Sequence, residues 1–402
     1  MPHCYKQLRQ RFILSELKRQ KKITVKSIAS TLGVTERTIR RDIHILEKAG
    51  IIQIHYGGAE LLSEKEASPY KENKLYLHTN MDINVFNLTP PVPKKSGRVF
   101  ILGSFNTDLV YRLQHFPESG ETTRALYSCC LPGGKGSNQA VAACMASART
   151  HFAAKVGEDD FAHKARKFLG NVGLEALTLF TQPDVPTGSA VVMVSEEAGD
   201  NAIVINPGAN QTIGPDEVIA CYDAISESDV FLTQMENNPD ATAMALKFAH
   251  TCGITTIFNP APWREDVLEL LPWATIVTPN LTEAESITGS PIRTEQEIRS
   301  AAETIHRLGP QIVIITLGSK GCWLFDGEQH RAFPAFPAVN IDTAGAGDAF
   351  NGALAAQLAS GKNITTALIY ASAFASLAVE REGASNMPEH SAVLERLNPM
   401  MN

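Results

Sequence analysis

The 402-residue sequence contains no apolar run near the roughly 20 residues needed to cross a bilayer. That argues against a membrane-spanning helix. Its seven cysteines are an odd number and are scattered, and the one close pair, Cys129-Cys130, is adjacent rather than spaced like a ligand motif. Neither a disulfide framework nor a zinc site is expected, and a reduced, cytoplasmic setting is. The first residues are basic but amphipathic, unlike a secretory signal. Net positive charge is also lacking, since the chain carries −7 overall. The deficit is uneven. Met1 to Tyr56 holds 12 Lys+Arg against 4 Asp+Glu, a balance of +8, which leaves −15 on the rest. A small basic head on an acidic body implies that the head meets a polyanion. The length suggests two domains.

In the head, Phe12, Ile13, Leu14 and Leu17 fall at helical spacing, and Val25 to Leu32 repeats the pattern. Gly33 breaks it as a tight turn would, and Thr35 can cap a further helix. Ile39, Ile43 and Leu46 face inward there, leaving Thr38, Arg40 and Arg41 on the other side. Gly50 ends that helix, and Ile51 to Gly57 reads as a hairpin or wing. This is the grammar of a helix-turn-helix that places its second helix in the major groove. A basic three-helix bundle used for dimerisation is the alternative. Residues 61–96 are mixed and polar, end in Pro90-Pro91-Val92-Pro93, and read as a connector with one short helix around 64–76.

The body is organised around Asp342-Thr-Ala-Gly-Ala-Gly-Asp-Ala-Phe-Asn-Gly-Ala-Leu354. A glycine-rich turn opening a helix at Ala349 to Leu358 presents free N–H groups and a positive dipole end to an anion. Asp348 in the same turn would repel that anion unless it takes a proton from a hydroxyl attacking a phosphoryl group. An ordinary helix-capping aspartate is the plainer reading. Gly133-Gly-Lys-Gly-Ser-Asn-Gln-Ala140 is a second glycine-rich turn, without the P-loop spacing, leading into a small-residue helix over 140–148. Asn106 and Asp108 follow the short strand Arg98 to Gly103 and can bind a polyol. Strands at 190–194, 202–205, 230–235, 255–258, 276–277 and 312–317 alternate with polar turns and helices. That alternation predicts an α/β domain with a doubly wound, mostly parallel sheet and helices on both faces.

The words of these segments are also familiar. Ile28 to Ile43, Leu46 to Gly50 and His55 to Ala59 resemble the winged helix-turn-helix of DeoR-type regulators. The resemblance implies that Thr35, Thr38, Arg40 and Arg41 face DNA, with Arg41 on phosphate. Gly133–Ala140 and Asp342–Leu354 together resemble the two signatures of the PfkB carbohydrate kinases, and within that family the ribokinases. Asn106-Thr-Asp108, Gly208-Ala-Asn210, Asn259 to Pro262, Pro279 to Glu285 and Thr316 to Gly321 fall in the expected order. The expected division is a head at 1–60, a linker at 61–96 and a ribokinase-like domain at 97–402.

This second resemblance implies ATP-dependent phosphorylation of a pentose on its primary hydroxyl, with Asp348 as general base. Gly345, Ala346 and Gly347 would form the anion hole. Asn106, Asp108, Gly133, Gly134, Lys135, Asn138 and Glu236 would hold the sugar, and Asp342 can join them. Asn280, Thr316, Leu317, Gly318, Ser319, Gly321, Gly347 and Ser372 would lie along ATP. Glu283 would act on Mg2+ through water. K+ would sit on backbone groups of Asp342, Ala344, Val379, Glu382 and Gly383. Ser372 stands where ribokinases often carry a larger His or Asn, and Phe105 and Thr107 flank the sugar-binding pair. A small β-sheet lid, built from 109–116, 122–130 and 188–205, would exclude water and pair in a homodimer. D-ribose is the expected sugar. 2-Deoxyribose or another sugar is the first alternative, and a sugar-sensing transcription factor with little kinase activity is the second.

Overall fold

The structure is a computed structural model that describes residues 9–61 apart from 11, 15, 18, 19, 33, 49 and 50, and then residues 97–197 and 200–398. The turn at Gly33, the helix end at Gly50 and the helix expected at 64–76 lie outside these residues. The chain divides into two compact units, residues 1–95 with 215–222 and residues 96–214 with 223–402.

In the first unit, β1 (Lys22–Thr24) leads directly into the helix Val25–Thr31, whose start is capped by the Thr24 hydroxyl, which accepts from the Ser27 N–H at 3.2 Å. The Thr35 hydroxyl likewise accepts from the Thr38 N–H at the head of the helix Glu36–Lys48. Ile28, Ile39, Ile43 and Leu46 are buried, as the helical spacing predicted. The wing is longer than expected. Tyr56 and Gly57 form its turn, so β2 (Ile52–His55) pairs with β3 (Gly58–Leu61), and β1 adds to the other edge of β3. Three residues are too few to show strand alternation, which is why β1 escaped sequence reading. Asp42 is fully buried in this unit, with its charge paired to Arg9 at 2.7 Å.

The second unit holds two sheets. Its strands, in chain order, are β4 (Arg98–Leu102), β5 (Asn106–Leu113), β6 (Tyr127–Gly133), β7 (Arg149–Val156), β8 (Ala176–Thr181), β9 (Gly188–Ser195), β10 (Asp200–Asn206), β11 (Val230–Thr233), β12 (Thr255–Phe258), β13 (Ile276–Val277), β14 (Ile312–Thr316), β15 (Cys322–Phe325) and β16 (His330–Phe333). Nine of them form one sheet in the order β16-β15-β14-β13-β12-β11-β4-β7-β8. Every pair from β14 to β8 is parallel, and β15 and β16 close one edge antiparallel. Central strands of this kind are covered on both faces and so read as unbroken apolar runs. Val99 to Leu102 and Val230 to Leu232 are such runs, each residue no more than 1% exposed.

The remaining four strands make a small sheet in the order β10-β9-β5-β6, in which β5 and β9 run parallel. Three residues separate β4 from β5, so the two sheets meet at Gly103 to Phe105, close to the carboxyl ends of the parallel strands. Ligands of open α/β sheets bind there. The outer strand β10 leaves Ile203, Val204 and Ile205 more than half exposed.

Both glycine-rich turns become helix N-termini, and both helices start earlier than expected. One spans Lys135–Met145 and the other Ala346–Ala359. Glycine, serine and alanine give no apolar periodicity, so the first turns were invisible to a pattern reading.

Candidate active site

The site forms where the first turns of these two helices meet. Asp348 lies in the first turn of Ala346–Ala359 and is 5% exposed. Its two carboxylate oxygens are held separately. Asn138 Nδ2 donates to Oδ2 at 2.9 Å, and Gln139 Nε2 donates to Oδ1 at 2.9 Å. Both donors come from Lys135–Met145, so the helix register fixes them together. Asn138 Oδ1 accepts from the Ser385 hydroxyl at 2.6 Å, which also donates to the Pro132 carbonyl.

The turn before Asp348 is built for an anion. Gly345 caps the helix at φ 76°, and a Cβ there would stand 2.6 Å from the Ala384 carbonyl oxygen, so both its conformation and its surroundings require glycine. The Ala346 N–H donates to the Thr343 carbonyl at 3.2 Å, whereas the N–H groups of Gly345 and Gly347 have no backbone partner among the described residues. Space beside Gly347 is open. Free amides at a positive helix end can receive a phosphoryl group.

Across the cleft stands a cluster of charge. Asp108 on β5 packs against Gly133, where a Cβ would fall 2.1 Å from its Oδ2. Burial pushes the Asp108 carboxyl up to about 7, and the negative charges of Glu236 and Asp348 add to that rise. Glu236, just beyond β11, accepts at Oε2 from the Ser104 hydroxyl at 2.5 Å and from the Lys135 N–H at 3.0 Å. Lys135 is the counter-charge. Burial alone would lower its pKa, but Asp348, Glu236 and Glu283 together outweigh that and hold it above its ordinary value. Asn106 is positioned by Asn210, whose Nδ2 donates to Asn106 Oδ1 at 2.8 Å, and Asn210 also clasps the backbone N–H and carbonyl of Phe105. Asn106, Asp108, Gly133, Gly134, Lys135, Asn138, Glu236 and Asp348 are therefore all brought near one another.

The residues expected along a nucleotide gather at the ends of β13 and β14. Asn280 bridges to Thr316, and the Thr316 N–H donates to the Pro279 carbonyl at 2.9 Å. Gly318–Lys320 forms one 3-10 turn, closed by the Leu317 N–H on the Gly321 carbonyl at 2.8 Å, and so includes Ser319. Ser372 is 8% exposed and lies on the helix Ile364–Ala378. Phe105 does not line the sugar cleft, because its ring is buried in the core.

Residues 96–391 match the pfkB family carbohydrate kinases, and residues 9–65 match the DeoR-like helix-turn-helix domain. The chain belongs to the pfkB family of carbohydrate kinases. It is an ATP-dependent carbohydrate kinase with a DeoR-like helix-turn-helix domain ahead of the kinase. Among its relatives is a bifunctional ribokinase/ribose-5-phosphate isomerase A of Fructilactobacillus sanfranciscensis, 36% identical over 75% of this chain; the match spans 56% of that longer protein. A ribokinase of Haemophilus influenzae is 34% identical over 74% of this chain and 97% of its own length. A deoxyribokinase of Salmonella typhi is 31% identical over 72% of this chain and 94% of its own. The solved Arabidopsis thaliana ribokinase with ribose and ATP superposes at a TM-score of 0.69, with 32% identity, covering 75% of this chain and 99% of that one.

The kinase's expected metal contacts show two different pictures. Glu283 Oε2 accepts from the Asn280 N–H at 2.9 Å while Asn280 Oδ1 accepts from the Glu283 N–H, a capping box that leaves one carboxylate oxygen. Burial raises the Glu283 pKa, against the pull of that N–H and of Lys135. No group of three His, Cys, Asp or Glu side chains that could hold a metal forms among the described residues. The single free oxygen fits a divalent ion that keeps its waters and is carried largely by phosphates. Asp342 clasps two loops, accepting from the Ala344 N–H at 2.8 Å and the Gly383 N–H at 3.0 Å. The Val379 carbonyl already accepts the N–H groups of Ile341 and Asp342, and the Glu382 carbonyl that of the Asn386 side chain. Carbonyl and carboxylate oxygens are the donor type that a weakly bound monovalent cation takes.

In the first unit, Thr35, Arg37, Thr38, Arg41, His44, Ile45 and Lys48 line a hollow on the outer side of Glu36–Lys48. Arg40 lies outside it, paired with Glu36 at 3.0 Å. Arg37, His44 and Lys48 were not singled out by spacing, although Arg37 and His44 fall four and three residues from Arg41 and Lys48 falls seven. In the kinase unit, sequence reading missed Ser104, Gln139, Gln234 and Ser385. Gln139 stood next to Asn138 in the glycine-rich word and carried no separate signal. No helix among the described residues is long and apolar enough to cross a membrane.

Proposed function

We propose that this kinase transfers the γ-phosphoryl group of ATP to the primary hydroxyl of a pentose, with D-ribose the substrate and D-ribose 5-phosphate the product. The observation that carries the reading is the buried Asp348 carboxylate, held by two amides at a helix end whose Gly345 and Gly347 N–H groups lack backbone partners. Asn106, Asp108, Lys135, Asn138 and Glu236 bind the sugar hydroxyls. Asp348 takes the proton of the attacking hydroxyl, and the amides of Gly345 and Gly347 stabilise charge on the phosphoryl group in transit. Asn280, Thr316 and the turn Gly318–Lys320 position the nucleotide. Mg2+ on the Glu283 side neutralises phosphate charge when bound, and K+ beside Asp342 steadies the anion-hole turn. The small sheet covers the cleft and keeps water from competing as acceptor. Ribokinase relatives support ribose, and the deoxyribokinase relative keeps 2-deoxyribose as the alternative.

The head binds DNA through the hollow around Arg41 and regulates transcription, and the exposed Ile203, Val204 and Ile205 of β10 pair two copies so that two heads read two half-sites. The test is ATP-dependent phosphorylation of ribose, 2-deoxyribose and several hexoses, with Asp348→Ala as control. Ribose turnover lost in the variant is the expected result. No turnover on any sugar, with Mg2+ and K+ supplied, would favour a sugar-sensing regulator instead.

A further inference from the structure

Gln139 is fully buried and does not reach the cleft, yet it touches the proposed base directly. Its amide has four hydrogen-bonding positions, and three are accounted for. Nε2 donates to Asp348 Oδ1 at 2.9 Å and to Asn259 Oδ1 at 3.2 Å, while Oε1 accepts from Gln234 Nε2 at 2.6 Å. An amide can in principle be turned end for end, which would set its oxygen against the carboxylate. Here the orientation is fixed from both sides by groups that only accept. Asp348 is one, as the carboxylate that must be ionised to act as base. The Thr278 carbonyl is the other: it accepts from Asn259 Nδ2 at 3.1 Å, so Asn259 must turn its oxygen toward Gln139. Gln234 then meets the only atom of Gln139 left to accept.

The chain of contacts continues. The Thr278 hydroxyl donates to Asn351 Oδ1 at 2.7 Å, and Asn351 Nδ2 donates to the Gly347 carbonyl at 2.8 Å. One buried run of polar groups thus ties the base to the backbone of the anion hole. Every link except the Thr278 and Gly347 backbone carbonyls is a side chain at most 6% exposed, so solvent cannot substitute for a lost side chain.

We propose that Gln139 is a positioning residue for Asp348, oriented by Gln234 and Asn259. It aims the carboxylate at the sugar hydroxyl by donating to Oδ1. The inference rests on the reading of Asp348 as base. Amide donation to one oxygen leaves lone pairs on both for the incoming hydroxyl, so Gln139 assists without competing with the substrate.

The experiment compares Gln139→Met, Gln234→Met and Asp348→Asn in the full chain. Gln139→Met keeps the length of the side chain and removes both donors. It should lower kcat by about ten- to a hundredfold, as a misaimed reacting group does, with KM for sugar and ATP nearly unchanged. The acidic limb of its kcat–pH profile should also move, because the carboxylate has lost a donor. Gln234→Met should produce the same changes, smaller in size. A folded Gln139→Met protein with kcat within about twofold of the natural enzyme and an unmoved acidic limb would overturn the inference. If that variant does not fold, an unchanged kcat and pH profile in Gln234→Met would overturn it equally. Asp348→Asn separates the two readings. Turnover surviving there overturns the base assignment itself, whereas its loss beside a normal Gln139→Met overturns only the role of Gln139.

Discussion

Gly352 lies so close to Gln139 that a Cβ at position 352 would stand 2.4 Å from the Gln139 carbonyl oxygen. The same Cβ would meet Ala142 Cβ at 2.6 Å and the Ala143 N at 2.9 Å. These are backbone and alanine atoms with nowhere to go. Gly352 therefore sets the spacing of the two helices, and that spacing lets Asn138 and Gln139 reach Asp348 one helical turn away. Gly352→Ala should force the helices apart. The expected loss of stability is about 1–3 kcal/mol from overpacking, seen as a lower melting temperature, with a fall in kcat larger than any change in KM. A variant with unchanged melting and turnover would show that the helix spacing does not depend on glycine at 352.

Sugar binding should depend on pH through Asp108, a proposed sugar ligand. Its folded pKa of about 7 lies above the ordinary value of 3.8, so between these values the folded protein holds a proton that the unfolded chain has released. Its contribution to stability is full below 3.8, declines as pH rises and is lost above about 7. An ionised Asp108 accepts hydrogen bonds from sugar hydroxyls, so sugar binding should favour the charged form and release a proton near neutral pH. Sugar affinity should rise as pH increases through about 7. Calorimetry in two buffers of different ionisation enthalpy measures the released proton directly, and Asp108→Asn should abolish the buffer dependence.

Gly133 faces that same carboxylate. A methyl group at 133 would overlap Asp108 Oδ2 and displace it from the proposed sugar site. Gly133→Ala should raise KM for the sugar by about tenfold or more, as a displaced binding group does, and leave KM for ATP near its natural value. Equal effects on both substrates would point to general disruption of the cleft.

Much of this architecture was legible because parallel strands buried on both faces are unbroken apolar words. Thr255–Phe258 and Ile276–Val277 have the bounds that the sequence pattern gave them. Asp348 was legible for a different reason: a carboxylate in a glycine-rich turn conflicts with the anion such a turn favours, and the conflict calls for chemistry. Gln139 gave no such sign. A glutamine is at home on any helix surface, and its meaning depends on Asp348, Gln234 and Asn259 arriving from three other parts of the chain. Glu283 shows the opposite limit. Its motif suggested metal chemistry, yet one of its oxygens also closes a capping box, a local task that the Asn280-x-x-Glu283 spacing serves equally well. Arg40 and Arg41 are adjacent and alike in charge; the resemblance put Arg41 on phosphate, and the helix geometry places the two differently.

That separation is testable on DNA. Arg41 lines the hollow on the outer side of Glu36–Lys48, whereas Arg40 is turned toward Glu36 in an exposed ion pair. Each phosphate neutralised by a basic side chain releases condensed counterions, so removing one contact weakens binding and flattens its salt dependence. Arg41→Ala should reduce the slope of log affinity against log salt by about one, alike on specific and unrelated duplexes if the contact is to phosphate. Arg40→Ala should change the slope by less, because its partner already balances its charge. Binding isotherms over a salt series, on the full chain and both variants, provide the comparison. A larger effect from Arg40 than from Arg41 would mean that the DNA runs along a different face of the helix.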